Sequence, residues 1–321
     1  MAGPTPTRDG TSGRGDATEA VAAPVLITGG RGFAGTHLAR ALHAHGRAPS
    51  APSRSELDLL DPDATGAAVR SLRPRTIFHL AAFSSPGRSL DRPEEALIGN
   101  VRMTLNLLEA VRAEAPAATV VLVGSGQIYG APDGQPITED ALPAPRNPYA
   151  VSKATADMLG HQYAVTYGLR IVRARPFNHA GPGQSDEYVL GTLARQVAEA
   201  ELAGARETVL HTGDVSVARD FTDVRDVVRA YELLAVCAEP AAYNVCSGRA
   251  TRLAELIDLL RSFARVEIRQ EVDPARLRRD DPRELRGSRD RISDATGWEP
   301  EIALARTVAD ALESWRSRLA L

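Results

Sequence analysis

The sequence predicts an α/β fold in which a doubly wound parallel sheet is followed by a smaller C-terminal α/β lid. An apolar run at residues 24–28 enters a glycine-rich turn and then an amphipathic helix at 36–42. Strand and helix patterns then alternate as far as residue 173, which is typical of parallel strands joined by helical crossovers. Beyond residue 185 the alternation loosens, as expected for segments inserted around a sheet. We therefore expect a Rossmann sheet with a lid that binds the substrate.

The first turn carries the most specific pattern in the N-terminal half. It reads Gly29-Gly-Arg-Gly-Phe-Ala-Gly35, with glycines repeating every three residues. Such glycines let the backbone approach a pyrophosphate, and the helix that follows adds free N–H groups and a positive dipole. Because a strand precedes the turn and a helix follows it, a dinucleotide-binding loop is favoured over a simple tight turn.

The second strand is expected at 47–53, although two prolines make it a poor strand. A cofactor with a free ribose 2′-hydroxyl usually meets Asp or Glu at the end of this strand. Ser53 and Arg54 stand there instead, and Arg31 lies in the glycine turn. Cations in place of a carboxylate favour a 2′-phosphate, so NADP(H) is the preferred cofactor and NAD(H) the alternative. The competing interpretation is that both arginines are ordinary surface residues.

The next two strands bring more groups to the same edge. A short strand is expected at 57–61, where Asp58 is placed to bind an adenine amine. The strand at 76–80 ends in Ala81 and Ala82. Small residues at this position let a flat cofactor lie across the strand end.

A further buried strand is predicted at 120–123, after helices expected at 64–72 and 94–113. It leads to Ser125 at the carboxyl edge, where open α/β sheets bind ligands. The hydroxyl of Ser125 can hydrogen-bond a substrate oxygen there.

The chemistry is expected on the helix that opens at Asn147-Pro-Tyr-Ala-Val-Ser-Lys-Ala154. Tyr149 and Lys153 are four residues apart, which places both side chains on one helix face. A nearby ammonium favours the phenolate, so the sequence predicts a Tyr149 pKa below its ordinary value of about 10. Lys153 is the only lysine in the 321 residues. A chain that uses arginine for every other strong cation therefore keeps a compact ammonium here, which argues against a solvated helix face.

The remaining elements follow from the same periodicities. We expect strands at 169–173, 208–211, 242–248 and 266–272, helices at 189–203, 227–236, 253–263 and 305–319, and loops at 175–184 and 276–291, with 219–226 opening the helix at 227–236.

The predicted domain organisation has three parts. Residues 1–20 lack the apolar groups needed for a core and are expected to be disordered. Residues 21–184, with returning segments near 209–248, are expected to form the NADP-binding Rossmann domain. Residues 185–321 are expected to form mainly the substrate-binding domain.

Composition limits the partners. A net charge of −3 indicates neither a nucleic-acid nor an anionic membrane partner, and no apolar run is long enough to span a membrane. Two cysteines are too few for a disulfide framework and fit a reducing compartment. We expect a cytoplasmic homodimer with no metal site.

The glycine turn, Ser125 and Tyr149-x-x-x-Lys153 together resemble the extended short-chain dehydrogenase/reductase family, over essentially the whole chain from residue 24. That family acts on nucleotide-activated sugars. Four later segments of the chain most resemble the GDP-mannose dehydratase/reductase branch of that family, namely 175–184, 219–226, 243–248 and 297–300.

The resemblance implies a role for each matching residue. Tyr149 is the implied proton donor, Lys153 grips the nicotinamide ribose, and Ser125 steadies the sugar carbonyl. The cofactor contacts are expected to be Gly29, Arg31, Gly32, Phe33, Gly35, Ser53, Arg54, Asp58, Leu59, Leu80, Ala81, Ala82, Tyr149, Lys153 and Pro176. The contacts to a nucleotide-diphosphate sugar are expected to be Ser84, Gln127, Asn178, Arg219 and Arg278. Guanidinium suits a pyrophosphate, and a surface ion pair is the alternative for each arginine.

Two departures from the family pattern bear on the reaction. Sugar 4,6-dehydratases carry an acid two positions after the serine or threonine, where this chain has Gln127. A neutral amide cannot take a proton, so dehydration is disfavoured. Arg279 stands where the family has a proline beside the residue matched to Arg278.

The expected activity is NADPH-dependent reduction of the C4 ketone of a nucleotide-linked 4-keto-6-deoxyhexose. A C4 epimerase is the alternative, followed by a 4,6-dehydratase and a non-catalytic dinucleotide sensor.

Overall fold

The computed structural model describes residues 23–130, 132, 136–277 and 282–320. The segment predicted to be disordered, 1–20, lies outside the described residues. The strands are β1 Val25–Thr28, β2 Thr76–His79, β3 Thr119–Val123, β4 Arg170–Pro176, β5 Asn178–Ala180, β6 Glu207–Thr212, β7 Ala218–Asp223, β8 Ala242–Val245, β9 Ala250–Arg252, β10 Glu267–Val272 and β11 Glu284–Leu285. The α-helices are α1 Phe33–Ala44, α2 Pro62–Leu72, α3 Arg88–Asp91, α4 Asn100–Glu114, α5 Pro148–Tyr167, α6 Val189–Leu202, α7 Val224–Cys237, α8 Leu253–Phe263, α9 Asp290–Thr296 and α10 Leu304–Leu319.

The central sheet is parallel throughout the described residues, with strand order β1–β2–β3–β4–β8. Neighbouring residues of one strand face opposite sides of a sheet. Ile27 accordingly packs in one buried cluster, with α1 and α7. Leu26 packs in another, with α2, α4 and α5. Both faces are covered, which explains why β1 is buried at every position.

The C-terminal half forms two smaller sheets. Strands β6 and β10 pair in parallel, and β7 pairs in parallel with β5 and β11 and antiparallel with β9. Helices α6, α8 and α10 bury their apolar faces in one cluster that includes Leu193, Leu260 and Leu312. The predicted fold class, a doubly wound parallel sheet with a smaller α/β lid, is confirmed.

Some predicted elements differ from those observed. The strand expected at 47–53 is reduced to an isolated bridge between Ser50 and Leu26, because proline lacks the N–H that a ladder requires. The strand expected at 57–61 is a turn. There Leu57 and Leu59 bury their side chains, while the backbone N–H of Leu60 bonds to the Asp58 carboxylate (3.0 Å).

Two further predictions are wrong, one where β4 of the central sheet leads into β5 and one at β7 of the smaller sheet. The loop expected at 175–184 begins inside β4 and continues as β5, where strand pairing satisfies the backbone. The segment 219–226, expected to open a helix, is mostly strand β7, and α7 begins at Val224. Asp223 ends the strand and caps the helix by accepting from the Arg225 N–H (2.8 Å).

The helix predicted at 94–113 is interrupted at its start. Residues Glu95–Gly99 form a π-turn before α4 begins at Asn100. Such turns re-aim the residue that follows them and recur at functional sites. No helix among the described residues has the length and apolarity to cross a membrane.

Candidate active site

The glycine turn joins β1 to α1 at the carboxyl edge of the central sheet. Gly29 has φ +72°, and a Cβ there would lie 2.6 Å from the Ala81 nitrogen, so only glycine fits. Helix α1 begins at Phe33, its N-cap residue Gly32 offers no side-chain cap, and its first turn has no acidic residue. Its first N–H groups therefore suit a phosphate group, and the turn fits the pyrophosphate of a dinucleotide.

The loop after Ser50, the residue that forms the isolated bridge with β1, completes the end of the site away from Tyr149. Ser53, Arg54 and Arg31 line the cavity. The nearby carboxylate of Glu56 accepts from the Ser53 backbone N–H (2.7 Å) and is not among the lining residues. Two guanidinium groups at this end suit a 2′-phosphate better than a 2′-hydroxyl.

A single cavity of ≈ 670 Å³ runs from this loop to helix α5, which carries Tyr149 and Lys153. All fifteen of the expected cofactor contacts lie on its wall, together with Ser125, Ser84, Gln127 and Asn178. Parallel strands end at one edge of a sheet, and β1, β2, β3 and β4 therefore bring these distant segments together.

The three expected catalytic residues meet at the inner end of the cavity. Ser125, Tyr149 and Lys153 are each at most 8% exposed. The Ser125 hydroxyl lies close enough to Tyr149 to lower its pKa slightly, and Lys153 Nζ donates to the Val123 carbonyl (2.8 Å). The i, i+4 spacing on α5 thus aims a phenol and an ammonium into one pocket.

The predicted lowering of the Tyr149 pKa is wrong for this structure. Burial raises the pKa of Tyr149 to about 12, against the smaller opposing effect of the Ser125 hydroxyl. Burial also lowers the pKa of Lys153 to about 8. The lowered Tyr149 pKa was predicted from the charge of the Lys153 ammonium alone, without the desolvation of both groups on burial. The consequence is that Tyr149 keeps its proton at neutral pH, as an acid requires.

Two buried polar side chains that the sequence analysis did not identify brace this pocket. His79 lies between Thr28 Oγ1 (2.7 Å to Nδ1) and Thr104 Oγ1 (3.2 Å to Nε2). Burial, and then the charge of Lys153, lower its pKa to about 3. A neutral imidazole adds no second positive charge beneath Lys153.

Asn100, the first residue of α4, holds the loop after β2. Its Oδ1 accepts from the Phe83 N–H (2.6 Å), and its Nδ2 donates to the Ser152 hydroxyl (2.8 Å). The π-turn at Glu95–Gly99 directly precedes this residue. Asn100 therefore ties the loop that contains Ser84 to the helix that carries Tyr149.

A buried ion-pair network lies one turn beyond Lys153. Asp157 accepts from Arg175 (3.0 and 2.8 Å) and from Arg173 (2.8 Å). Arg175 also donates to the Tyr129 hydroxyl (2.7 Å). Arg175, expected in a loop, instead joins α5 to β4 beside Pro176.

The expected substrate contacts are only partly brought together. Gln127 lines the cavity, and its Oε1 accepts from the Asn147 amide (3.3 Å). Arg219 is not among the lining residues. Its guanidinium donates to the carbonyls of Ala218 (2.7 Å) and Pro282 (2.8 Å), because strand β7 turns it along the β11 connection. Arg278 lies outside the described residues.

The lid contributes lining residues that the sequence analysis missed. Tyr188 Oη lies 3.0 Å from Ser84 Oγ, and Glu187 pairs with Arg88 (2.7 Å). These contacts join the lid to the loop after β2 across the cavity. Only the tertiary structure indicates them, since neither segment carries a recognisable motif.

A Rossmann sheet, a glycine turn and a Ser–Tyr–Lys set on one cavity together define an extended short-chain dehydrogenase/reductase, an enzyme class that uses a nicotinamide cofactor. A match to a family model then identifies the family within this enzyme class. The chain belongs to the family described as GDP-mannose 4,6 dehydratase, whose model matches residues 47–311.

Relatives cover almost the whole chain. It is 42% identical to GDP-6-deoxy-D-mannose reductase of Pseudomonas aeruginosa over 300 residues, or 92% of this chain and 98% of the relative. It is 32% identical to UDP-glucose 4-epimerase of Mycolicibacterium smegmatis over 91% of this chain and 98% of the relative.

Solved structures of similar enzymes superpose on almost the whole chain. RMD from Pseudomonas aeruginosa, complexed with NADPH, superposes with a TM-score of 0.84 at 40% identity, covering 93% of this chain and 99% of that one. UDP-glucose 4-epimerase from Thermus thermophilus, complexed with NAD, superposes with a TM-score of 0.80 at 28% identity, covering 91% and 99%.

Proposed function

We propose that this enzyme reduces the C4 ketone of a nucleotide-linked 4-keto-6-deoxyhexose with NADPH, as the 42% identical GDP-6-deoxy-D-mannose reductase suggests. The observation that carries the proposal is the buried Ser125–Tyr149–Lys153 set, whose phenol keeps its proton at neutral pH. A group that starts protonated is suited to give a proton to a developing alkoxide.

The reaction divides between the cofactor and the side chains. When bound on the cavity wall, NADPH would supply the hydride for C4. The Tyr149 hydroxyl passes its proton to the C4 oxygen, and the phenolate is later reprotonated from solvent. Ser125 donates to the same oxygen and holds the carbonyl in place, while the nearby ammonium of Lys153 stabilises the negative charge that develops.

The cofactor assignment rests on the adenine-side end of the cavity. Arg31 and Arg54 line it, and the RMD structure from Pseudomonas aeruginosa holds NADPH. NAD(H) remains the alternative, since epimerase relatives bind it. We propose that residues 21–184, with returning segments near 209–248, bind the cofactor and that residues 185–321 mainly bind the sugar nucleotide.

Gln127 supports reduction over dehydration. It occupies the position where the family's dehydratases carry their acid, and its carboxamide is held by Asn147. A carboxamide cannot remove the C5 proton. The epimerase alternative has its own support in the 32% identical UDP-glucose 4-epimerase, because epimerases share the Ser–Tyr–Lys chemistry.

Cofactor stoichiometry tests the proposal. Purified protein is mixed with NADPH and GDP-4-keto-6-deoxy-D-mannose, and product and NADP⁺ are counted. One NADP⁺ for each 6-deoxyhexose is expected. Interconversion of two C4 epimers without net cofactor oxidation would establish the epimerase. A 4-keto-6-deoxy product made from GDP-mannose would establish a dehydratase.

For the remaining sugar contacts we propose Ser84 and Asn178 on the cavity wall. Arg219 and Arg278 are proposed at the pyrophosphate from the family resemblance alone, and Arg219 would have to release the Ala218 and Pro282 carbonyls to reach it.

We also propose a cytoplasmic homodimer. Apolar side chains stay exposed on both helices of one side, namely Leu105 (38%) on α4 and Met158 (65%) and Val165 (71%) on α5. Light scattering should give twice the chain mass, and Met158→Glu should give the monomer.

A further inference from the structure

Tyr231 on α7 presents a buried hydroxyl that its protein surroundings leave unpaired. The residue is 0% exposed and packs in the apolar cluster with Val121 and Val172. Its Oη has no hydrogen-bond partner among the described residues. Comparably buried tyrosines are paired, since Tyr129 donates to Asn244 (2.8 Å) and Tyr243 to the Glu239 carbonyl (3.1 Å). A buried polar group without a partner in a native structure calls for an explanation.

The hydroxyl belongs to the wall of the cavity. Tyr231 is among the lining residues, and it reaches the cavity from the α7 face of the sheet, opposite to α5 and Tyr149. Burial raises the pKa of Tyr231, and the electrostatic influence of Tyr149 adds to the rise. The hydroxyl therefore keeps its proton and can donate it to a hydrogen bond.

Packing tells which end of the cavity Tyr231 serves. Val123, whose carbonyl accepts from Lys153 Nζ, packs against the cluster that contains Tyr231, and Tyr231 shares the cavity wall with Tyr149 and Lys153. The adenine-side end is built instead by the segment 52–60. A donor at the catalytic end is suited to the ribose or carboxamide oxygens of a nicotinamide nucleotide.

We propose that the Tyr231 hydroxyl donates a hydrogen bond to an oxygen on the nicotinamide half of bound NADP(H), an inference that rests on the proposed cofactor. It makes Tyr231 a cofactor-binding residue that comes from the opposite side of the sheet to the Tyr149 helix. It also accounts for a phenol where an apolar cluster alone would be filled by phenylalanine.

The test is Tyr231→Phe, which removes the oxygen and keeps the ring. Calorimetric titration should show NADPH binding weakened about 2–10-fold, the range of one hydrogen bond. Adenosine 2′,5′-bisphosphate, which carries only the adenine-side groups, should bind unchanged. The melting temperature of the ligand-free variant should be equal to or above that of the wild type, because an unpaired buried hydroxyl is removed.

Tyr243→Phe is the matched control, because its hydroxyl is paired within the protein. It should leave both affinities unchanged and lower the melting temperature. Unchanged NADPH affinity in Tyr231→Phe, equal weakening of both ligands, or a lowered melting temperature of that variant would each overturn the inference. Absence of NADPH binding by the wild type would instead overturn the proposed cofactor.

Discussion

At the scale of single residues, burial determines the protonation of the catalytic pair. Desolvation disfavours the charged form of any group, so it moves the pKa of Tyr149 up to about 12 and that of Lys153 down to about 8. Near neutral pH both groups are protonated. The free enzyme is therefore prepared to donate a proton rather than to accept one.

Tyr149→Phe should lower the turnover number by about 10²–10⁴-fold, the usual contribution of a positioned acid. NADPH affinity should stay nearly intact, because the hydroxyl is needed in the transition state. Steady-state rates and a cofactor titration check both parts. If more than about a tenth of the wild-type rate remains, Tyr149 is not the acid.

The pH profile of kcat/KM should report Lys153. This parameter follows the groups of the free enzyme. The rate of reduction should fall as the pH rises through about 8, where Lys153 loses the charge that stabilises the alkoxide. Tyr149, with a pKa of about 12, stays protonated over this range. Lys153→Met should lack this basic limb, and a limb that persists in that variant would assign it elsewhere.

Lys153→Arg should be nearly as damaging as Lys153→Met, although arginine keeps the charge. The ammonium is 6% exposed and sits 2.8 Å from the Val123 carbonyl. A longer, planar guanidinium cannot occupy that space with the same geometry. Turnover of the two variants is compared with wild type. Near-normal activity of Lys153→Arg would mean that the only lysine is an accident of composition.

At the scale of elements, the glycine turn and the segment 52–60 act as one cofactor-binding unit. Gly29 lets the turn press against the end of β2, with its would-be Cβ 2.6 Å from the Ala81 nitrogen. Arg31 and Arg54 stand at the open end of the same unit. Because these two guanidinium groups line the adenine-side end, their charge should set the cofactor preference.

Arg54→Ala should weaken NADPH binding about 10-fold, in the range of a charge-assisted hydrogen bond, and leave NADH binding unchanged. Titration of both cofactors measures the difference. The matched control is Arg269→Ala, which removes an exposed arginine on β10 paired with Glu207. Equal affinity of the wild type for both cofactors, or an unchanged variant, would contradict the assignment.

At the scale of the whole molecule, the C-terminal segment closes the Rossmann core. Trp298 is fully buried in the cluster built by β1, α1 and α7. Its Nε1 donates to the Asp226 carbonyl (3.0 Å), and the Asp226 carboxylate accepts from the N–H groups of Glu301 and Ile302. The C-terminal segment that begins at Trp298 therefore completes the apolar cluster on the α1 and α7 face of the central sheet.

Trp298→Ala should lower the free energy of unfolding by about 3–5 kcal/mol, as measured by chemical denaturation. Trp315→Ala is the matched control, because Trp315 is only partly buried against the lid cluster. It should cost clearly less. A loss for Trp298→Ala no larger than for Trp315→Ala would show that the C-terminal segment does not complete the core.

The sequence by itself determined the features that depend on neighbouring residues. The glycine turn, the i, i+4 spacing of Tyr149 and Lys153, and the apolar strands each arise within one strand or helical turn. Local chemistry also identified Pro49 and Pro52 as unfavourable to a strand, although the turn at 57–61 was missed.

Only the tertiary structure decided what depends on residues far apart in the chain. The raised pKa of Tyr149 comes from burial by several elements. The direction of Arg219 comes from the β7–β11 pairing, and Tyr188 and Tyr231 reach the cavity only because α6 and α7 pack around it. Desolvation is a property of the folded surroundings, and no residue spacing along the chain encodes it.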